Sequence, residues 1–341
     1  MSKILVTGGL GYIGSHTVVE LVKAGYEPVI VDNLSNSNVK ILDQLTKIIG
    51  FKPPFYQFDL CDTASVKKLV DAEPDIAGVI HFAAYKAVGE SVAKPLKYYH
   101  NNFYSLINLL ETYYSSKVNF VFSSSCTVYG QPDVLPVTED APIKPAESPY
   151  GNTKQVAEEI LRETTAAGST CKVISLRYFN PVGAHDSALI GELPIGVPQN
   201  LVPFITQTAI GKREKLTVFG DDYNTVDGSC VRDYIHVVDL GKAHVAALKL
   251  MESEGYDKVY DVFNLGTGNG NTVLEVIKAF EISTGEKLNY VIGPRRPGDV
   301  EKVWGDVTKS TNVLKWTAEL DISDMMASAW AWEKYLAANP F

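Results

Sequence analysis

The stretch KILVTGGLGYIGSH, residues 3–16, decides the fold of this chain. Its first residues, KILVT, form a run that is typical of a buried strand, and the glycines that follow have the spacing GxxGxxG at Gly8, Gly11 and Gly14. An amphipathic stretch comes next and predicts a helix that ends at Gly25. Glycines at such a junction allow a tight turn and let backbone N–H groups reach a pyrophosphate at the helix N-terminus. The stretch therefore predicts the first βα unit of a dinucleotide-binding domain.

The same alternation of strand and helix continues through the first half of the chain. Apolar runs predict further strands at residues 28–32, 55–59, 77–84, 118–125 and 171–178, with helical stretches between them, including residues 37–49. The alternation fails after about residue 180, because residues 180–200 are rich in glycine and proline and predict a loop. Beyond them we expect a strand and a long helix at residues 232–251, and a last strand at residues 262–268.

This order of elements predicts an α/β fold: a doubly wound parallel (Rossmann) sheet with a smaller, discontinuous α/β substrate domain. We assign residues 1–183 and 237–265 to the dinucleotide-binding domain, and residues 184–236 and 266–341 to the substrate domain. Ligands of open α/β sheets bind beyond the carboxyl ends of the strands. The cleft is therefore expected at that edge of the sheet.

Composition and charge exclude several classes of partner. The chain has 341 residues, of which 45% are apolar and 21% charged, and its formal net charge is −9. An acidic chain without a basic block is not expected to bind nucleic acid or an anionic membrane, and no apolar run has the length of a membrane span. The four cysteines stand at isolated positions without CxxC spacing, so we expect no metal site. Reduced thiols, and a strand pattern that begins by residue 3, favour a cytoplasmic protein without a signal peptide.

Two aspartates follow predicted strands and are candidates for cofactor binding. Asp32 comes 18 residues after Gly14, at the end of the second predicted strand. A carboxylate there can accept hydrogen bonds from an adenosine ribose and repel a 2′-phosphate, so the sequence predicts NAD rather than NADP. The alternative is that Asp32 is simply a turn residue. For Asp59, at the end of the third predicted strand, a role in cofactor binding and a role in a turn are nearly balanced.

The stretch SPYGNTK, residues 148–154, places Tyr150 and Lys154 on one face of a predicted helix. Ser125 lies upstream at a predicted strand end. A free tyrosine has a pKa of about 10, which a nearby ammonium and the positive nicotinamide ring would lower toward neutral pH. Spacing alone favours an exposed pair at a helix start. The glycine loop and the position of Ser125 favour a proton-transfer site instead.

At these residues the chain resembles the extended short-chain dehydrogenase/reductases, and among them the family of UDP-galactose (UDP-glucose) 4-epimerases. The resemblance runs nearly end to end, and it is carried by the order and spacing of VTGGLGYIGSHT, VDNLSNS, HFAAYKAVGES, YYHNN, FSSSCTVYG, SPYGNTK, RYFNPVGAH, VRDYIHVVDL, FNLGTG and PRRPGD. It implies a nucleotide-sugar substrate for the second domain and NAD for the first.

The resemblance also implies a role for each matching residue. Tyr150 is the expected base and acid, Lys154 binds the nicotinamide ribose and tunes Tyr150, and Ser125 assists at the sugar 4-hydroxyl. Besides Tyr150 and Lys154, the implied cofactor contacts are Gly8, Gly11, Tyr12, Ile13, Gly14, Asp32, Asn33, Asn36, Ser37, Asp59, Leu60, Phe82, Ala83, Ala84, Lys86, Asn101 and Phe179. Besides Ser125 and Tyr150, the implied substrate contacts are Asn180, Asn200, Leu201, Arg232, Arg296, Asp299 and Val303.

The implied reaction is interconversion of UDP-galactose and UDP-glucose. Hydride passes from sugar carbon 4 to NAD, the 4-keto sugar rotates, and hydride and proton return to its other face. Val303 stands where some members carry a bulky tyrosine, which implies activity on UDP-N-acetylhexosamines as well. Cys126 replaces an expected alanine. The resemblance also implies a homodimer that forms through a helical face of the NAD domain.

Two alternatives remain at this point. One is a nucleotide-sugar 4,6-dehydratase or decarboxylase, although Cys126, Thr127 and Val128, which follow Ser125, include no acid for the elimination of water. The other is a non-catalytic NAD-binding regulatory protein. Such proteins often lose the tyrosine or the lysine, and this chain keeps both.

Overall fold

A computed structural model describes residues 2–296 and 300–341 of the chain. The described residues contain thirteen strands: β1 (Lys3–Thr7), β2 (Glu27–Val31), β3 (Phe55–Tyr56), β4 (Ile76–His81), β5 (Asn119–Ser123), β6 (Lys172–Tyr178), β7 (Asn180–Val182), β8 (Leu216–Phe219), β9 (Val231–His236), β10 (Tyr260–Leu265), β11 (Gly270–Thr272), β12 (Tyr290–Gly293) and β13 (Lys302–Val303).

Ten α-helices accompany these strands in the same described ranges: α1 (Tyr12–Lys23), α2 (Lys40–Ile49), α3 (Thr63–Ala72), α4 (Val88–Ala93), α5 (Pro95–Tyr113), α6 (Pro149–Ala166), α7 (Leu201–Ala209), α8 (Val237–Glu252), α9 (Val273–Thr284) and α10 (Ile322–Ala338). A 3₁₀ turn at Cys126–Tyr129 and a π turn at Ser310–Leu314 complete the list. No helix among the described residues combines the length and the apolar character that a membrane crossing requires.

Seven parallel strands form the large sheet, in the order β10-β6-β5-β4-β1-β2-β3. One face buries apolar side chains of α1, α2 and α8, and the other buries those of α3, α5 and α6. The predicted doubly wound Rossmann sheet is therefore confirmed. The chain runs outward in both directions from the β1–β4 pair, so the crevice expected for a ligand opens beyond the carboxyl ends of these two strands.

The remaining strands build two smaller sheets. Strand β9 pairs with β11, β13 and β7, while β8 and β12 form a parallel pair. Helices α7, α9 and α10 cover these strands through a separate apolar cluster that includes Ile205, Phe280 and Trp330. Strand β9 continues directly into α8, so one segment connects the smaller sheet to the helical layer of the large sheet.

Several predicted elements differ from the structure. The strands predicted at residues 77–84, 118–125 and 262–268 end at His81, Ser123 and Leu265, and the helix predicted at residues 37–49 begins at Lys40. Residues 180–182 are a short strand rather than loop, because they pair with residues 234–236 of β9, which are distant in sequence. The third strand is also shorter than predicted and ends at Tyr56. It lies at the sheet edge and pairs only with β2, and the Asp59 carboxylate then accepts a hydrogen bond from the Cys61 amide, which begins a turn.

Candidate active site

The glycine loop forms a close-packed cradle at the start of α1. Gly8 has a φ of +67°, a conformation that favours glycine, and a Cβ on Gly14 would lie 2.3 Å from the carbonyl oxygen of Gly8. Helix α1 begins after Gly11, and no side chain among the described residues caps it. Its first backbone N–H groups, including those of Tyr12 and Ile13, therefore remain available for an anion. This cradle fits the pyrophosphate of a dinucleotide.

Asp32 directly follows β2 and lies beside this cradle. Its carboxylate is buried and accepts hydrogen bonds from the backbone amides of Leu10 and Leu34 and from the hydroxyl of Ser37. The side chain of Asn33 donates to Asp59 over 3.2 Å, so the residues predicted to surround the adenosine end are brought together. The predicted contacts Leu60 and Asn36 lie near these turns, the first buried and the second exposed.

Residues after β4 form the opposite wall of the cradle. The amides of Phe82 and Ala83 are held by the backbone oxygen and the hydroxyl of Thr7, respectively. Asn101 is a predicted cofactor contact in this region, and its side-chain amide donates to the Asn102 side chain over 2.9 Å. Asn102, which sequence reasoning did not select, makes structural contacts here. The Asn102 side chain bonds the backbone N–H and C=O of Tyr85 and the hydroxyl of Thr153, so it ties this wall to α6. The motif YYHNN points to this region, but the sequence alone does not show which of its two asparagines makes these structural contacts.

Tyr150 and Lys154 occupy the first turns of α6, whose start is strongly encoded. Ser148 caps the helix by accepting the Gly151 amide, and Pro149 takes the first helical position, where its missing N–H costs nothing. Both Tyr150 and Lys154 are buried, at 7% and 5% exposure. They are therefore not the exposed pair that spacing alone would favour.

The Lys154 ammonium lies at the carboxyl end of β5. Its Nζ donates to the Ser123 carbonyl over 2.6 Å and lies 4.7 Å from the ring centroid of Phe122. Burial lowers the pKa of Lys154 to about 8, and the nearby Glu158 carboxylate opposes this fall. The lysine is thus a desolvated cation whose protonation changes near the upper end of the physiological range.

Ser125 lies beside Tyr150, which is one helical turn before Lys154 on α6. Ser125 begins the 3₁₀ turn by accepting the Thr127 amide, and its hydroxyl opposes the rise that burial causes in the pKa of Tyr150. Burial dominates, so this pKa lies well above its ordinary value. The protein's own groups therefore hold Tyr150 as a neutral phenol, and the lowered pKa expected from the sequence requires the nicotinamide charge as well.

Tyr178 is a second phenol near this group, and sequence reasoning did not select it. Its oxygen accepts a hydrogen bond from Ser123 over 3.0 Å, and burial raises its pKa to about 12. The residue precedes Phe179 at the end of β6 and therefore lies at the same sheet edge as Ser125. Its position at the end of a predicted strand was the feature by which the sequence could have identified it as a candidate site residue.

The substrate side begins where β13 joins β9. Val303 is the parallel partner of Arg232 in this pairing, and it packs in an apolar cluster with Phe179 and Cys126. A Cβ on Gly305 would lie 2.4 Å from the Phe179 ring, so the chain after Val303 follows that ring closely. Predicted contacts from two distant segments are therefore brought to one wall beside Ser125.

Other predicted contacts lie farther along the cleft. Asn180 begins β7, and Leu201 begins α7 directly after Asn200. The Asn200 amide donates to the Glu192 carboxylate over 2.5 Å, and Lys86 lies 3.5 Å from the same oxygen. Glu192, which sequence reasoning missed, thus joins a predicted cofactor contact to a predicted substrate contact.

The PRRPGD segment is described only in part. The Arg296 guanidinium lies 5.7 Å from the ring centroid of Phe219, and Arg295 pairs instead with Asp222. The predicted contact Asp299 lies outside the described residues. Among the described residues, no cluster of three or more histidine, cysteine, aspartate or glutamate side chains is placed to hold a metal ion.

The Rossmann sheet, the glycine cradle and the Ser125–Tyr150–Lys154 group define an extended short-chain dehydrogenase/reductase. The family model described as GDP-mannose 4,6 dehydratase matches residues 5–329. A UDP-glucose 4-epimerase of Bacillus subtilis is 51% identical over 334 residues, which cover 97% of this chain and 96% of the relative.

Solved structures agree with this assignment. The UDP-glucose 4-epimerase from Stenotrophomonas maltophila, with bound NAD and formylated UDP-arabinopyranose, has a TM-score of 0.95 and 45% identity over 99% of both chains. The enzyme from Bifidobacterium longum, in complex with NAD+ and UDP, has a TM-score of 0.92 and 47% identity over the same shares. The chain belongs to the UDP-glucose 4-epimerase family.

Proposed function

We propose that this protein interconverts UDP-galactose and UDP-glucose, with NAD as a retained cofactor. The observation that carries the proposal is the buried group of Ser125, Tyr150 and Lys154 at the carboxyl edge of the large sheet, next to the glycine cradle. Relatives of about 50% identity over nearly the whole chain bear this activity in their names, which supports the same assignment here.

The mechanism follows from the placement of these side chains. When bound, NAD would be held by the glycine cradle and Asp32 and would supply the hydride acceptor, and later the hydride donor, for sugar carbon 4, so that no net oxidation occurs. The phenolic oxygen of Tyr150 takes the 4-hydroxyl proton as the hydride leaves, which produces a 4-keto sugar. After the sugar turns over, Tyr150 returns the proton to the new 4-oxygen, and the centre is inverted. Ser125 holds that oxygen toward Tyr150.

Lys154 provides the positive charge that this proton transfer requires. Because the site is buried, an ammonium beside the phenol has a stronger effect than it would have in water. The Ser123 carbonyl holds the ammonium at the carboxyl end of β5, and we expect the same ammonium to contact the nicotinamide ribose. The cleft beyond it offers Arg232 and Arg296 for the UDP pyrophosphate, since an arginine fork binds two oxygens at once.

The two alternative functions receive less support. A 4,6-dehydratase has to eliminate water, and the residues after Ser125 carry a thiol and a hydroxyl rather than carboxylates. Burial raises the pKa of Cys126 to about 12, so this thiol is a poor acid or base near neutral pH. A non-catalytic NAD-binding protein would have no need to bury Tyr150 and Lys154 together, since each loses hydration there.

We also propose the domain division and the assembly. Residues 1–183 and 237–265 bind NAD, and residues 184–236 and 266–341 bind the UDP-sugar.

A homodimer would cover the outer side of α5, where Leu96 and Tyr104 are exposed at 80% and 53% and Tyr99 stacks on Phe103. Light scattering should give twice the chain mass, and Leu96→Glu with Tyr104→Glu should give the monomer mass. A wild-type chain that is monomeric at micromolar concentration would contradict this assembly.

The experiment that tests the activity is incubation of the purified protein with UDP-galactose, with and without added NAD, followed by NMR of the products. We expect UDP-glucose in both samples, because the cofactor is retained. A 4-keto product that has lost water would favour the dehydratase. Protein that binds NAD yet leaves UDP-galactose unchanged would favour the regulatory alternative.

A further inference from the structure

A buried ion pair lies beneath the proposed catalytic group and is not part of it. The guanidinium of Arg177, on β6, donates to both carboxylate oxygens of Glu158, on α6, over 2.6–3.2 Å. Both side chains are less than one-tenth exposed. Arg177 also donates to the Tyr129 hydroxyl, which in turn donates to Asn264. The pair is therefore the centre of a polar network that links α6, β6, β10 and the 3₁₀ turn.

Glu158 also accepts a hydrogen bond from a residue of the segment that carries Ser125. The hydroxyl of Ser124 donates to Glu158 Oε1 over 2.5 Å, and Ser124 is fully buried. Ser124 stands between Ser123, whose carbonyl holds the Lys154 ammonium, and Ser125, whose hydroxyl lies beside Tyr150. One hydroxyl thus ties the segment that carries both of these contacts to the ion pair.

A buried ion pair is weak evidence for stability, because the desolvation of two charges cancels much of their attraction. Apolar side chains of similar volume often serve a core equally well. Because the hydroxyl of Ser124, just beyond the end of β5, also binds the carboxylate of this bidentate pair, the pair calls for a positional explanation.

We propose that Glu158, held by Arg177, is a positioning residue that fixes the Ser123–Ser125 segment against Lys154 and Tyr150 through the Ser124 hydroxyl. This inference rests on the proposed epimerase function of the same site. Catalytic groups that move by about 1 Å can lose about 100-fold in rate, so a single hydrogen bond that fixes three consecutive residues can affect turnover strongly.

The charge of Glu158 acts on the same lysine. Lys154 faces the Ser123 carbonyl and the Phe122 ring on β5, and His81 on β4 and Tyr178 on β6 lie nearby. His81 is a neutral imidazole, because burial lowers its pKa to about 3. Glu158, one helical turn beyond Lys154, is the anion that opposes the effect of burial on the lysine.

The variant Ser124→Ala tests the positional role, because it removes the connection and leaves the ion pair intact. We expect kcat with UDP-galactose to fall at least tenfold while KM changes less than twofold and NAD remains bound. Ser175→Ala is the matched control, since Ser175 is a fully buried serine on β6 whose hydroxyl lies 3.3 Å from that of Tyr260. If Ser124→Ala and Ser175→Ala have the same kcat, the positional role is wrong.

The variant Glu158→Gln tests the charge separately, because it keeps an acceptor for Ser124 and loses the anion. We expect the alkaline limb of the kcat profile to move to lower pH, whereas Ser124→Ala should keep the wild-type limb. If the alkaline limb of the kcat profile is the same in Glu158→Gln as in the wild type, Glu158 does not act on Lys154 through its charge.

A readout without turnover separates this inference from the proposed function. The ¹⁵N-labelled side-chain signal of Lys154, identified with Lys154→Met, should titrate at lower pH in Glu158→Gln than in the wild type. If the wild type converts no UDP-sugar but this shift occurs, the proposed function fails and the electrostatic action of Glu158 on Lys154 stands.

Discussion

The cofactor side and the substrate side of the cleft are built in different ways. The cofactor side is made of short contiguous segments, and each of them follows one strand of the large sheet: Gly8–Gly14 after β1, Asp32 after β2 and Phe82–Ala84 after β4. The substrate side takes its residues from β7, α7, β9 and β13, which are far apart in sequence. Backbone geometry dominates the first side and side-chain placement the second. A substitution on the cofactor side should therefore disturb all of its contacts together, whereas a substitution on the substrate side should remove a single contact.

The largest expected effect is at Tyr150, where the two sides meet. Tyr150→Phe removes the phenolic oxygen and keeps the ring, so the fold and the bound NAD should persist. General acid–base catalysis contributes about 10²–10⁴-fold, and we expect kcat to fall by about 10³-fold, which corresponds to about 4 kcal/mol of barrier. Epimerisation of UDP-galactose followed by NMR measures the loss. Tyr290→Phe, on an exposed tyrosine of β12, should be neutral, and near wild-type turnover in Tyr150→Phe would refute the assignment.

The next effect sharpens the claim that the cofactor side acts as a unit. In Gly14→Ala the new Cβ would lie 2.3 Å from the Gly8 carbonyl oxygen, so the whole turn has to move. We expect the protein to be purified without NAD and the apparent Kd for NAD to rise about 100-fold. Gly89→Ala is the control, because the nearest atom to its added Cβ is a side-chain oxygen at 3.9 Å. Retention of NAD by Gly14→Ala would break the comparison.

A pH profile tests the electrostatics at the junction. In the proposed mechanism Lys154 acts as the ammonium, and burial lowers its pKa to about 8. The charged fraction is complete below this value and falls as pH rises through it, so kcat should decline above about pH 8 by about tenfold per unit. Lys154→Arg keeps the charge at all these pH values and should be slower but free of this limb. A wild-type kcat that stays constant to pH 10 would contradict the role of the ammonium.

The same contrast explains how much of the molecule could be predicted from its sequence. The glycine loop, the alternation of strands and helices and the start of α6 are local signals, and the structure places them as the sequence predicted, whereas several strands end two or three residues earlier than predicted. Strand β7 was missed because Pro181 and its neighbours look like loop, and only pairing with β9 makes them a strand. The network of Glu158 and Arg177 was missed because its members lie on α6, β6, β10, the 3₁₀ turn and the residue after β5. An arginine inside the apolar run CKVISLRY was the one visible sign of it.

The smallest effect concerns a single side chain of the substrate side. Val303 is 9% exposed and packs with Phe179 beside the 3₁₀ turn that carries Cys126. Val303→Tyr adds a ring at this wall and leaves the phenol, the ammonium and the cradle in place. We expect turnover of UDP-N-acetylgalactosamine to fall about tenfold relative to that of UDP-galactose, whose own turnover should change less than threefold. Val303→Ile, which adds one methylene, should leave the ratio within twofold of wild type.

If Val303→Tyr lowers the turnover of both substrates equally, this wall positions the sugar as a whole rather than its 2-substituent. If wild-type protein does not convert the N-acetylated sugar at all, Val303 does not set this specificity. Val303→Tyr should leave NAD bound, whereas Gly14→Ala should release it. The two variants together would therefore distinguish a side of the cleft that depends on backbone geometry from one that depends on individual side chains.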